Sequence, residues 1–222
     1  MPTNRGRRRA GAASTVGAGH GSLFGRRHAV LFGAFAPARL CRLLALYGDL
    51  GAGVAADDGR RTTVAPLTRS GVRDTAHRLA ELAAARHLAS PFDPTEAAFV
   101  LFPSGVDTRP RRGHRYYLGC AAHLVVDGRG VFTEHAERDR TRVLHRLRIA
   151  PGDVVLQRAW SPLGAADPRP YTRFAPEDGG ALLLFRARQN LVATACPPSW
   201  PGLLTRAELA EARLRDALAA AR

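Results

Sequence analysis

Lysine is absent from this sequence. All 33 basic residues are arginines, and against 19 acids they give a net charge of +14 at neutral pH. A GC-rich coding sequence accounts for the missing lysines, but it does not account for the uneven placing of the positive charge. Because a guanidinium group grips carboxylate or phosphate through two parallel hydrogen bonds, this charge favours polyanions or acidic protein surfaces as partners.

Cysteine is scarce as well. The three cysteines, Cys41, Cys120 and Cys196, are widely separated and odd in number. This excludes a disulfide framework, and their spacing fits no zinc site. We therefore expect them to be buried as small apolar residues in a reducing compartment.

A hydrophobic run long enough to span a membrane is missing from the first part of the chain. The longest early apolar run, residues 29–36, is interrupted by Gly33 and falls far short of the ~20 residues that span a bilayer. We therefore expect a soluble protein that does not enter a membrane.

Motifs of catalysis and cofactor binding are absent too. There is no phosphate-binding loop and no dinucleotide fingerprint, and Gly128-Arg129-Gly130 is too short for either. Cys120 and His123 are close in sequence, but strand alternation sends their side chains to opposite faces. Four histidines around this strand lack a metal-ligand interval to cysteine or acid: His114, His123, His135 and His145. The last of these is interpreted as a hydrogen-bonded core histidine.

The sequence therefore predicts no catalytic residue, no cofactor, no metal site and no small-molecule substrate. On these grounds we expect that the protein is not an enzyme.

Acids are absent from the first 30 residues, which are rich in glycine, alanine and serine. Such a segment buries too little apolar surface to offset its ordering entropy, so we expect a disordered arm at residues 1–30. Its basic residues are candidates for nuclear targeting or polyanion binding: Arg5, Arg7, Arg8, Arg9, Arg26 and Arg27. A nuclear address, with weak non-specific contact to nucleic acid, is preferred over a solubilising tail or a transit peptide.

Residues 31–95 have the periodicity of a small helical segment. Pro37 opens a helix to about Tyr47, and a second helix runs from Ser70, its predicted N-cap, to about Leu88. Since the second helix carries several arginines, the alternative function is that of a basic nucleic-acid-binding regulator that uses helices 37–47 and 70–88.

Residues 96–222 are predicted as an antiparallel β domain with a closing helix. The Asp127-Gly128 pair is the strongest hairpin signal, because both residues accept the positive φ of a tight primed turn. We expect it to join strands at 116–126 and 129–133. Further strands are expected at 99–102, 141–149, 153–160, 181–185 and 191–196. Strands so closely spaced favour a barrel- or sandwich-like sheet, and the fold class is α+β.

A basic loop precedes the central strand. Its arginines are Arg109, Arg111, Arg112 and Arg115. Tyrosines follow directly, which gives a faint version of the interleaved cations and aromatic rings that bind single-stranded nucleic acid.

The closing helix has the clearest local signal in the chain. Thr205 and Glu208 form a capping box, in which each side chain satisfies the backbone N–H of the other residue. The narrow apolar stripe that follows, with Leu214 and Leu218, is expected to pack on the chain's own sheet.

Two segments resemble a family of alphaherpesvirus proteins. LVVDGRGVF at 124–132 is an apolar strand that ends in Asp127, followed by Arg129 and Phe132. GALLLFRARQNLVATACPP at 180–198 ends in paired prolines and precedes the closing helix. In spacing and apolar pattern, residues 98–220 resemble the nuclear protein family encoded by the fourth gene of the unique long region.

The resemblance implies a non-enzymatic accessory protein of the infected host nucleus, with other viral or host nuclear proteins as its partners. It carries over no functional residues, because the molecular activity of that family is undefined. A viral nuclear interaction protein is thus the leading expectation.

Overall fold

The structure is dominated by β-strands. The computed structural model describes residues 22–24, 27–86, 92–137, 139–162, 167, 169–177 and 179–221. The strands are β1 Ser22–Phe24, β2 His28–Leu31, β3 Val54–Ala55, β4 Arg61–Ala65, β5 Glu96–Phe102, β6 Tyr117–Asp127, β7 Gly130–His135, β8 Val143–Ile149, β9 Val154–Arg158, β10 Tyr171–Pro176 and β11 Leu182–Asn190. The helices are α1 Pro37–Leu50, α2 Ser70–Ala84 and α3 Arg206–Ala220.

The strands form two antiparallel sheets. The large sheet has eight strands in the order β1-β2-β9-β6-β11-β5-β4-β3, and the small sheet has three in the order β10-β7-β8. The prediction of a mostly antiparallel sheet with a C-terminal helix is confirmed. The two sheets stay separate, so they do not close into a barrel, and the arrangement is jelly-roll-like.

Asp127-Gly128 lies where the chain crosses from one sheet to the other, so the hairpin prediction is wrong. β6 ends at Asp127 and pairs with β9 and β11, whereas β7 begins at Gly130 and pairs with β8 and β10. Of the predicted turn, the positive φ of Gly128 is confirmed at +77°, whereas Asp127 is the last residue of β6. The choice of partner strands depends on long-range packing, which a local turn signal does not contain.

The large sheet is covered on both faces, and the alternation of its side chains separates two cores. On one face, Phe99 and Phe185 pack beneath α1 and α2. On the other face, Val100 and Leu184 pack against Phe132 of the small sheet. Neighbouring residues of one strand thus belong to different cores.

The helices α1 and α2 bury their apolar sides against the large sheet. Leu43 and Leu79 are buried in the core on that face. Both helices begin where the sequence predicts, although Arg69 takes the N-cap position of α2 and its side chain makes no cap hydrogen bond. The segment predicted as helical also contributes β3 and β4, of which β4 pairs with β5. None of the helices in the described ranges is both long and apolar enough to cross a membrane.

Two further strand predictions need correction. The predicted pair at 181–185 and 191–196 is one unbroken strand, β11, followed by a 3₁₀ helix at Leu191–Ala193. β8 lies at the edge of the small sheet, so His145 is exposed and is not a core histidine.

The capping box of α3 is confirmed. The Glu208 backbone N–H donates to Thr205 Oγ1 at 3.2 Å, and the Thr205 backbone N–H donates to Glu208 Oε2 at 2.9 Å. The predicted packing of the apolar stripe is wrong for Leu214 and Leu218, which are 58% and 41% exposed. Ala212 is the residue that α3 buries.

We expect Thr205→Ala to lower the free energy of unfolding by about 1 kcal/mol, because the first turn of α3 loses its cap. Urea denaturation followed by circular dichroism measures this change. Arg213→Ala, an exposed substitution in the same helix, is the matched control and should change stability by less than about 0.5 kcal/mol. Equal losses in the two variants would contradict a capping role for Thr205.

Candidate functional site

A cavity of about 300 Å³ lies between the two sheets. The large sheet contributes residues of β4, β5, β6, β9 and β11 to its wall, and the opposite side is formed by β10 and residues 108–114. Phe174 and Leu184 belong both to the apolar core between the sheets and to the cavity wall. The cavity therefore continues that core at the point where apolar packing gives way to polar side chains.

Arginine dominates the described residues that line the cavity. The nine arginines in the lining are Arg60, Arg109, Arg111, Arg112, Arg158, Arg173, Arg186, Arg188 and Arg215. The lining has one carboxylate, Asp58, which accepts a hydrogen bond from Arg60 Nε at 2.9 Å. An excess of positive charge around a concave space attracts negative ions, so this cavity favours small anions.

Two of these arginines come from β11 and are largely buried. Along the sequence LLLFRARQN, Leu184, Arg186 and Arg188 share the face that looks toward the small sheet. The side chains of Arg186 and Arg188 are only 14% and 11% exposed. Buried charges of this kind require a partner.

Glu96 of β5 is that partner. It lies opposite Arg188 in the pairing of β5 with β11, accepts a hydrogen bond from Arg188, and has a carboxylate oxygen 3.8 Å from a guanidinium nitrogen of Arg186. The Tyr117 hydroxyl donates to the same carboxylate at 2.9 Å, and the Tyr117 ring centroid lies 3.6 Å from the Arg188 guanidinium carbon. Burial alone would raise the pKa of Glu96, but Arg188 and Arg186 hold it below its ordinary value.

A single carboxylate does not neutralise two arginines. Burial and the neighbouring Arg188 lower the pKa of Arg186 to about 9, an effect that Glu96 only partly opposes. The site therefore keeps a positive charge that a further anion would neutralise.

Buried nitrogen atoms without hydrogen-bond partners surround the same cavity. Within the described part of the chain, these include Nε of Arg112, Arg173, Arg186 and Arg188, Nε2 of Gln157 and Nδ1 of His123. All six residues line the cavity. Because an unpaired buried donor costs about 1–3 kcal/mol, these atoms favour water or a ligand that supplies acceptor oxygens in the cavity.

Cys120 and His123 lie on opposite faces of β6, as predicted. Burial raises the pKa of the Cys120 thiol to about 12, which makes it unreactive. His123 lines the cavity, where burial and the nearby Arg186 hold its pKa well below the ordinary value, so its ring is neutral at pH 7. The prediction that the cysteines are buried is confirmed for Cys120 alone, because Cys41 is exposed on α1 and Cys196 is half-buried.

The basic loop predicted from the sequence forms part of the cavity wall. Arg109, Arg111 and Arg112 line the cavity. Arg115 does not, and instead donates to the backbone carbonyl oxygen of Leu203 at 3.0 Å. The loop thus divides into three arginines that a ligand can reach and one that supports the fold.

Of the six basic residues proposed in the arm, only Arg27 lies among the described residues. Its guanidinium is 3.7 Å from a carboxylate oxygen of Glu137, and Arg112 donates to the same carboxylate at 2.6 Å. Arg5, Arg7, Arg8, Arg9 and Arg26 fall outside the described residues, so the nuclear address stays a prediction.

Sequence reasoning missed the side chains that matter most in the cavity. A usable signal was present in β11, where Arg186 and Arg188 stand two positions apart in an otherwise apolar strand. Such a pair must share one face, and two charges on a buried face indicate a partner or a ligand. His123 and Gln157 carry no comparable signal, because single polar residues in strands are common at exposed faces.

This chain is similar to known proteins in its fold and not in its sequence. No protein-family model and no curated protein matches this sequence. Among solved structures, a prolyl-4-hydroxylase from Pseudomonas putida is similar, with 14% identity, a TM-score of 0.51, and coverage of 77% of this chain and 93% of that one. The 2OG complex of a viral collagen prolyl hydroxylase from Paramecium Bursaria Chlorella virus-1 gives 8% identity, a TM-score of 0.52, and coverage of 74% and 95%. HygX from Streptomyces hygroscopicus, with nickel, 2-oxoglutarate and hygromycin B bound, gives 13% identity, a TM-score of 0.50, and coverage of 72% and 81%.

The chain therefore has the fold of 2-oxoglutarate-dependent oxygenases. This overturns the expectation of a non-enzymatic nuclear accessory protein, because the fold is that of enzymes that bind small molecules. The expectation that no small-molecule substrate exists is wrong for the same reason. The nucleic-acid-binding alternative is contradicted by the same comparison, because the similar structures are those of enzymes with this fold.

The metal centre that such a fold implies does not fit these residues. A non-haem iron site of the usual kind takes two histidines and one carboxylate. Across the described ranges, no group of three or more histidine, cysteine, aspartate or glutamate side chains is placed to hold a metal ion. Asp58, the carboxylate in the cavity lining, is already engaged by Arg60 and lies 3.3 Å from a guanidinium nitrogen of Arg111.

Proposed function

We propose that this chain binds a small dicarboxylate of the 2-oxoglutarate type in the arginine-lined cavity. The observation that carries the proposal is the coincidence, in one cavity, of nine arginines with buried nitrogen atoms that have no partner in the described chain. HygX and the Chlorella virus hydroxylase, which share the fold, are described with 2-oxoglutarate or 2OG. Fold and charge thus support the same class of ligand.

Arg186 and Arg188 are the proposed anchor for one carboxylate of the ligand. Guanidinium groups bind carboxylates through charge-assisted, often bidentate hydrogen bonds, which are the strong ones in proteins. Arg188 is already held by Glu96 and by the Tyr117 ring, so little side-chain entropy is lost when a ligand binds. Arg186 carries the charge that Glu96 leaves uncompensated.

The dimensions of the cavity limit the ligand to a small metabolite. Its volume of about 300 Å³ is at the lower end of the roughly 300–1,000 Å³ that small-molecule sites occupy. Phe174 and Leu184 give part of the wall an apolar surface, which suits the carbon chain between two carboxylates.

Isothermal titration calorimetry with 2-oxoglutarate at pH 7 tests the proposal. We expect saturable binding to the native chain and a loss of affinity of at least about tenfold in Arg186→Gln, because a charge-assisted hydrogen bond is removed. Arg146→Gln is the matched control, since Arg146 is exposed on β8 and does not line the cavity. Its affinity should equal that of the native chain.

The choice of ligand class is tested with the same instrument. Succinate should bind in the same range as 2-oxoglutarate, whereas inorganic phosphate should bind more weakly because it cannot span the cavity. Absence of saturable binding by either dicarboxylate would disprove the proposal. If phosphate binds more tightly than both 2-oxoglutarate and succinate, the ligand is not a dicarboxylate and the proposal is wrong.

A further inference from the structure

Resting on the proposed function, we infer that the cavity holds both carboxylates of its ligand with guanidinium groups and without a metal ion. The fold and the side chains of this chain disagree over a metal ion. The fold is shared with HygX, which is described with nickel and 2-oxoglutarate bound, yet the described residues of this chain assemble no metal-ligand group.

The charge of the cavity opposes a divalent cation directly. Among the described residues, nine arginines and one carboxylate line it, and that carboxylate, Asp58, is held by Arg60 and Arg111. Part of this charge is balanced, since Arg112, Arg173 and Arg215 have carboxylate partners outside the lining and Glu96 serves both Arg186 and Arg188. The positive charge that is left over among the described residues, at Arg109, Arg158 and beside Arg186, repels a metal ion that enters the cavity. The same charges attract a dianion.

The two histidines of the cavity lining, His114 and His123, are not enough to reverse this, because no third ligand is placed to join them among the described residues. His123 is 8% exposed and lines the cavity, and its Nδ1 has no hydrogen-bond partner among the described residues. A metal ion bound there would lie among the arginines of β11 with one neutral ligand. The ring is better suited to a hydrogen bond with a ligand oxygen.

Two groups of arginines face the cavity from different parts of the fold. Arg186 and Arg188 belong to the large sheet, and Arg109, Arg111 and Arg112 belong to the loop on the opposite side. Because both groups line one small cavity, a ligand with an anionic group at each end can contact both. The loop arginines then supply the positive charge for the second carboxylate.

Arg109 and Arg111 are available for such a role, whereas Arg112 is held by Glu137 and Asp167. Arg109 and Arg111 are exposed to solvent. Arg109 has no ion-pair partner in the described ranges, and Arg111 shares Asp58 with Arg60. A ligand carboxylate can therefore bind Arg109 without breaking an ion pair within the described chain.

Calorimetry on the full chain separates this inference from the proposed function. The titrant is 2-oxoglutarate, and the protein is measured after treatment with EDTA and again with added Mn²⁺ or Ni²⁺. We expect the dissociation constant to agree within about twofold under both conditions. Titration of Mn²⁺ or Ni²⁺ alone should give no saturable binding.

The outcomes are distinct. Binding that disappears with EDTA and returns with metal would overturn this inference and leave the proposed function standing. Absence of binding under both conditions would overturn both. Saturable binding of the metal alone, followed by tighter binding of 2-oxoglutarate, would also overturn the inference.

A variant of the loop tests the second carboxylate. The double variant Arg109→Gln with Arg111→Gln should lower the affinity for 2-oxoglutarate at least about tenfold. Its affinity for pentanoate, a monocarboxylate, should change by less than about twofold. Arg115→Gln is the matched control, because Arg115 lies in the same loop outside the cavity lining. Unchanged affinity of the double variant for 2-oxoglutarate would overturn the assignment of the loop arginines.

Discussion

Glu96→Gln should lower the free energy of unfolding by about 3–5 kcal/mol, because it leaves two buried guanidinium groups without their carboxylate. Glu96 is 7% exposed, accepts a hydrogen bond from Arg188, and lies 3.8 Å from a guanidinium nitrogen of Arg186. Glutamine has nearly the same shape, so the change removes charge without creating a cavity. Urea denaturation at pH 7 measures the loss.

The matched control for this prediction is Glu81→Gln. Glu81 accepts a hydrogen bond from Arg78 at 2.8 Å on the exposed side of α2, where 64% of the Glu81 side chain is exposed. Because solvent screens exposed pairs, this change should lower stability by less than about 1 kcal/mol. Losses of similar size in the two variants would show that Arg186 and Arg188 do not depend on Glu96.

The difference between native chain and Glu96→Gln should also depend on pH. Arg188 and Arg186 hold the pKa of Glu96 below its ordinary value of 4.5 against the effect of burial, so the folded chain binds this proton less readily than the unfolded chain. The stability that the carboxylate contributes is therefore complete above pH 4.5 and is lost as the pH falls through the folded-state pKa. A difference that stays constant between pH 7 and pH 3 would contradict this account.

A bound anion should restore part of the stability of the variant. Ligand that binds only the folded chain stabilises it in proportion to the logarithm of its concentration above the dissociation constant. If 2-oxoglutarate occupies the space beside Arg186 and Arg188, it compensates the charge that Glu96 no longer balances. The increase in melting temperature per added ligand should then be larger in Glu96→Gln than in Glu81→Gln.

The sheet and the closing helix could be predicted because their signals are local. Short continuous apolar runs, as in β5 and β6, are typical of strands buried on both faces, whatever their partner strands are. The capping box at Thr205 needs only residues within one turn. Pairing order is different, since β6 lies between β9 and β11, both of which follow it in the chain. For that reason the Asp127-Gly128 turn could be recognised but not its place between the sheets.

The cavity could not be predicted, because its residues meet only through the fold. Arg109 and Arg111 were recognised as a basic loop, yet nothing local indicates that this loop faces Arg186 and Arg188 of the last strand. A basic sequence favours polyanions of any size, and it does not distinguish an exposed surface from a cavity. An exposed basic surface and a basic cavity differ in burial, because only the buried arrangement limits the ligand to a small anion.

Gly128→Ala should destabilise the chain by at least about 3 kcal/mol, because two penalties add. The φ of +77° at Gly128 lies in the left-handed region, which costs an L residue about 1–2 kcal/mol. A Cβ atom there would lie 1.9 Å from the backbone carbonyl oxygen of Ala181, so the crossing between the sheets must shift. Overpacking of this kind adds about 1–3 kcal/mol.

Gly105→Ala separates the two penalties. Gly105 has a φ of +75°, and a Cβ added there would meet nothing within 4 Å. In urea denaturation, the free energy of unfolding of Gly105→Ala should therefore fall by the conformational penalty alone, about 1–2 kcal/mol. The excess loss in Gly128→Ala measures how tightly β6 and β11 enclose the crossing that brings the small sheet over the large one. Equal losses would mean that Ala181 moves freely, and that the position of the small sheet above the cavity is not fixed at this crossing.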